Sequence, residues 1–189
     1  MAVDLFYYLS TLPYLKPGDP PPMGSAEFLA RCRASLAPDL ADAVAQAALL
    51  PPTEGAGTET MRRWFAFETF LRNSAAAIRL ARFQRSGLTF TPRDTDYLSP
   101  SLRKQVEDAL ALPSPAEREN ALDMVRWRHL DEMESGHSFD QTLLEIYALR
   151  LLLLEKQASR NLKEGKAAFA SVLQDGLSQA QASRVDTEL

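Results

Sequence analysis

Apolar residues recur at helical spacing over most of this chain, and proline, glycine and capping residues cut the pattern into segments. The first stretch, Val3 to Leu15, is apolar and aromatic and reads equally as a short strand or a first helical turn. KPGDPPPMGS follows; its prolines forbid helix and central strand, so it is read as an extended connector. Ser25 then offers an N-cap for AEFLARCRASL, where Phe28, Leu29, Cys32 and Leu36 share a face. A short helix is expected from Pro38, carrying Leu40, Val44, Ala47 and Ala48, and Pro51 and Pro52 end it.

The longest helix is expected from about Glu59 to Arg85, with Gly87 as its stop. Trp64, Phe67, Leu71, Ile78 and Phe83 make one face, with Phe65 and Phe70 beside it. Arginines 62, 63, 72, 79, 82 and 85 occupy the remainder, and Glu68 precedes Arg72 by the four residues that favour a helical ion pair. The stretch from Gly87 to Ser99 reads as a loop. Ser99 and Pro100 start a helix to about Leu112, and the Ser114, Pro115, Glu117 capping box starts another to Met133, ended by Gly136. Ser138 or Asp140 caps a helix to about Asn161 that is apolar on nearly every side, as a central bundle helix is. A last helix, 164–174, precedes a polar tail. The fold class is therefore all-α, a multi-helix bundle of six to seven helices with an irregular proline-rich N-terminal segment. The expected divisions are 1–24, a helical domain over 25–175, and a frayed tail over 176–189.

Composition agrees: of 189 residues, 46% are apolar and 8% aromatic, a helix-favouring mix on a chain long enough for one core. The net charge of −4 argues against a nucleic-acid binder. Cys32 is alone, which excludes an internal disulfide and suggests a reducing, cytoplasmic setting with the thiol as a small buried side chain. The longest apolar run, Leu149 to Leu154, is interrupted by Arg150 and is far too short to span a bilayer.

Chemistry is sparse. No phosphate-binding loop, dinucleotide fingerprint or nucleophile elbow is present, so no catalytic residue, cofactor or metal is assigned. The densest titratable segment, RHLDEMESGH, holds His129, Asp131, Glu132, Glu134 and His137, with His129 and Glu132 on one helix face. Di-iron bundles use a Glu-x-x-His motif twice, whereas here the order is reversed and single. A solvated helix end competes with the metal reading. Arg72, Arg79 and Arg82 form a candidate protein interface.

Three stretches resemble a known family: FYYLSTLP followed by the EFLARC helix, WFAFETFLRN, and RWRHLDEMESGHSFDQTLLEIYALRLLLLEKQASRNLKEGKAAFASVL. They are similar, over nearly the whole chain, to bacterial proteins encoded in V/A-type rotary ATPase operons. Those proteins themselves resemble the C-type stalk component of the same enzymes, called d-type in the eukaryotic version. The resemblance implies an all-helical, non-enzymatic protein in an ion-transport machine. It would be a stalk component or an assembly factor that contacts the shaft or the membrane rotor ring and is peripheral to the membrane. It is shorter than the three-lobed C-type component. Two other readings are an all-helical cytoplasmic adaptor or chaperone unrelated to ATPases, and a metal-dependent bundle enzyme built on the His129–His137 segment.

Overall fold

A computed structural model describes residues 4–52, 57–83, 90–160 and 174. Among them there are seven helices and no strand: α1 Leu5–Ser10, α2 Ser25–Ser35, α3 Pro38–Ala45, α4 Glu59–Phe83, α5 Pro100–Ala111, α6 Pro115–Glu134 and α7 Gln141–Ala158. The all-helical expectation holds. The chain divides into two compact units after Glu155, and the core and the clefts belong to the first. Of the expected helix over 164–174 only Gln174 is described, in helical conformation; the tail and the Gly87 stop lie outside the described residues, as does the side chain of Phe83.

The ambiguous N-terminal stretch is helical. Asp4 caps α1 by accepting from the Phe6 N–H at 2.8 Å. Tyr8 of α1 is buried with Leu15 and Met23, so this segment and the connector contribute to the same core as the long helices. Ser25 is not the cap of α2. Gly24 occupies that position, and the Ser25 N–H donates to Glu155 Oε1 at 2.7 Å. A carboxylate on α7 thus satisfies a helix-start donor that local sequence assigns to a hydroxyl. The capping box of α6 forms, with the Ser114 N–H donating to Glu117 Oε2 at 3.3 Å. Asp140 caps α7, accepting from Leu143 N–H at 3.1 Å.

The long-range contacts fix the directions of the core helices. Thr60 near the start of α4 meets Thr142 near the start of α7, so these two helices begin side by side. Arg79, late in α4, meets Glu119, early in α6, while Phe67 stacks on His129 further along, so α6 runs against α4. Phe28 of α2 packs on Tyr147 of α7 with ring centroids 5.0 Å apart. Leu144, Ile146, Leu149, Leu151, Leu153 and Leu154 are all buried, which makes α7 the central rod expected from its apolar sequence. Arg150 interrupts that run yet reaches the α6 carboxylates Asp131 and Glu134 and lies over the Trp127 ring at 5.5 Å.

Residues 90–99 form no strand. They run back along α4, because Asn73 Nδ2 donates to the Arg93 carbonyl at 2.8 Å and Arg93 N–H donates to Asn73 Oδ1 at 3.2 Å. Further toward the start of α4, the Thr95 hydroxyl donates to the Ala66 carbonyl at 3.2 Å and Tyr97 sets its edge against Phe67.

Candidate functional site

The arginine face of α4 is shared between two clefts. Arg72, half exposed, lines the first, about 400 Å³, with Leu50, Pro51, Asn73, Phe90 and Arg93. Arg79 and Arg82 line the second, about 380 Å³, with Leu110, Pro115, Arg118 and Glu119.

Arg72 is already committed on one edge: its Nε donates to Glu68 Oε1 at 2.6 Å, the ion pair expected from the spacing. That carboxylate does more than pair at the surface. Glu68 is fully buried and also receives a fork from Arg126 of α6, whose Nε and Nη2 sit 2.9 Å from its two oxygens. Arg126 Nη1 donates to the buried Asp123 at 3.0 Å. Burial opposes the charge on Arg126, but Glu68 and Asp123 outweigh it and push its pKa up. Glu68 and Asp123 thus draw on Arg126 inside the bundle and on Arg72 at its edge, so Arg72 presents less net charge than the sequence suggests.

A second buried carboxylate, Glu145 of α7, accepts from the Thr58 hydroxyl at 3.0 Å and from Gln141 Nε2 at 2.7 Å. Both networks were missed in the sequence. A signal existed for the first. Glu68 lies four residues after Trp64 and three before Leu71, and Arg126 lies four from Leu122 and four from Leu130. A charge on an apolar stripe implies a buried partner.

The titratable segment of α6 is dispersed by the fold. His129 stacks on Phe67, 3.8 Å between ring centroids and 10° from parallel, with Tyr97 edge-on. Its Nδ1 is 3.6 Å from Glu132, while Nε2 is buried with no hydrogen-bond partner in the structure. Burial drives its pKa below the ordinary value, against the pull of Glu132. Asp131 and Glu134 hold Arg150, and His137 pairs with Asp140 at 2.7 Å. Burial raises the Asp140 pKa, but the His137 contact and the Leu143 N–H bring it below the ordinary value. Among the described residues no group of three or more His, Cys, Asp or Glu is placed to hold a metal ion.

Cys32 is buried and 3.5 Å from the Tyr8 hydroxyl, and burial raises its pKa, so it packs as a small apolar side chain. Burial and the Cys32 contact also raise the Tyr8 pKa. The Tyr147 hydroxyl, buried without a partner in the structure, is pushed up to about 12 by burial.

A neutral buried His129 has a consequence for stability. Its folded pKa lies below its unfolded value of 6.5, so the unfolded chain takes up the proton first as pH falls. Stability is full above pH 6.5 and declines below it until the folded group also titrates. The ring is faced by Trp64, Phe67, Tyr97, Glu132 and Arg63, of which Glu132 softens the loss. Urea melts from about pH 7.5 to about pH 5 should show this decline, and His129→Phe should flatten that part of the profile while keeping the ring stack.

Among the described residues no helix is long and apolar enough to cross a membrane. No protein-family model, no curated protein and no solved structure matches this chain.

Proposed function

We propose that this chain is a non-catalytic component or assembly factor of a V/A-type rotary ATPase, resembling the C-type central-stalk component that joins shaft to membrane rotor ring. The observation that carries the reading is where the resembling stretches meet. FYYLSTLP touches the EFLARC helix through Tyr8 and Cys32, and touches GHSFD through Phe6 and Phe139, ring centroids 4.3 Å apart. WFAFETFLRN is tied to RWRHLDEM by the Glu68–Arg126 fork. The residues that distinguish the sequence join helices to one another. That suits a stiff body that transmits force by contact, because a close-packed interior deforms little. The exposed arginines of α4 supply charge for steering and register against a partner protein. A protein with these properties sits on the complex from the aqueous side.

Tagged full-length chain, purified from its own host, should bring down shaft or rotor-ring proteins. Charge reversal at Arg72, Arg79 and Arg82 should reduce that recovery. Recovery of other proteins with neither shaft nor ring would replace this reading with an adaptor or chaperone unrelated to ATPases. Stoichiometric iron, manganese or zinc in the purified protein would favour the bundle enzyme instead.

A further inference from the structure

We propose that the cleft between the ends of α4 and α5 and the start of α6 receives glutamate side chains from an acidic segment of a partner protein. Arg82 and Arg118 are the clamp. This deepens the partner-surface reading of α4 and rests on it, though not on which complex the partner belongs to.

Three guanidiniums, Arg79, Arg82 and Arg118, face one carboxylate, Glu119, across a cleft of about 380 Å³. The whole chain carries −4, so this local excess is opposite in sign to the rest of the molecule. An acidic segment is therefore attracted to this cleft against the net charge of the chain. Arg79 is held by Glu119 at 3.3 Å. Arg82 and Arg118 have no carboxylate partner among the described residues. Instead, Arg82 Nη1 donates to the Leu110 carbonyl at 2.6 Å, and Arg118 Nε and Nη2 donate to the carbonyls of Leu112 and Pro113 at 2.5 and 3.2 Å. These carbonyls lie at the end of α5, where a helix leaves acceptors unmatched. The contacts fix both guanidiniums in place and leave other N–H donors on each side chain to bind a ligand. Much of the ordering is thus complete before the partner arrives.

The lining selects carboxylate side chains over free phosphate. Leu110 and Pro115 give an apolar wall for the methylenes of glutamate, and Glu119 disfavours a dianion. Arg82 and Arg118, two guanidiniums without a carboxylate among the described residues, call for two glutamates on one face of the segment, as a spacing of one helical turn provides.

The test uses the full chain and a fluorescein-labelled helical peptide with glutamates at i and i+4, compared with a glutamine twin, by anisotropy. The glutamate peptide should bind and weaken as salt rises. The twin should bind about tenfold more weakly or worse. Arg82→Gln with Arg118→Gln should cause a similar loss, while Arg103→Gln, on the exposed side of α5, should not. Equal binding of both peptides overturns the proposal. So does wild-type affinity in a double variant with unchanged helical circular dichroism. Displacement of the peptide by inorganic phosphate at matched ionic strength also overturns it. If the double variant does not fold, the peptide pair alone decides. Undiminished recovery of ATPase proteins by the folded double variant refutes the cleft and leaves the proposed function standing. Peptide binding without any ATPase protein in the wild-type pull-down does the reverse.

Discussion

Arg126→Met should lower the unfolding free energy by about 3–5 kcal/mol, the scale for stripping one partner from a buried ion pair. Arg126 is 5% exposed, and Glu68 and Asp123 are fully buried. Without the guanidinium fork, Glu68 keeps Arg72, whose side chain is 43% exposed and so compensates weakly. The measurement is urea denaturation followed by circular dichroism. Glu68→Gln combined with Arg126→Met should be less destabilised than the sum of the two single variants, because the glutamine removes one of the two carboxylate charges that the loss of Arg126 strands. Simple additivity in that cycle would mean that the two side chains do not depend on one another.

Trp64→Ala should cost about 3–5 kcal/mol through a different mechanism, the emptying of a packed site. Trp64 is fully buried on α4, and its ring lies 5.7 Å from Phe67 and 6.5 Å from His129. Its Nε1 donates to the Ala48 carbonyl at 3.0 Å, which ties the chain after α3 to α4. Alanine leaves a cavity and an unmatched carbonyl. Trp64→Phe restores most of the volume but not the donor, so its cost should fall to about 1 kcal/mol. The chain has two tryptophans, so Trp127 remains as a fluorescence reporter in both variants. Equal stability of the alanine and phenylalanine variants would show that the ring's volume contributes nothing.

How far the sequence reaches differs between fold and site. Helix starts at Pro38, Ser99 and Ser114 were legible because proline at the first turn and a hydroxyl cap act within four residues. The start of α2 was misread because its donor is satisfied by Glu155, which lies 130 residues away. The N-terminal stretch stayed ambiguous because a six-residue helix has almost no intrinsic stability and depends on what Tyr8 packs against.

The arginine face was legible as a row of charges on α4. Its division was not. Arg72 turns toward a buried carboxylate, Arg79 and Arg82 share a cleft with Arg118, and Arg93 is brought to Arg72 by the strap that Asn73 holds. The segment from His129 to His137 looked like one constellation because its members are close in sequence. Successive residues on a helix point in different directions, so His129 reached an aromatic stack while Asp131 and Glu134 reached Arg150, and His137, beyond the end of α6, reached the cap of α7.

By itself the sequence determined that this protein is helical, where most of its rods begin, and that the rod carrying the leucine run lies at the centre. Those properties follow from local backbone chemistry and from the period of apolar side chains. Tertiary structure alone decided which charges are consumed and which face outward. A carboxylate such as Glu68 is the same residue in either place, and only the arrival of Arg126 from another helix offsets the loss of water around it.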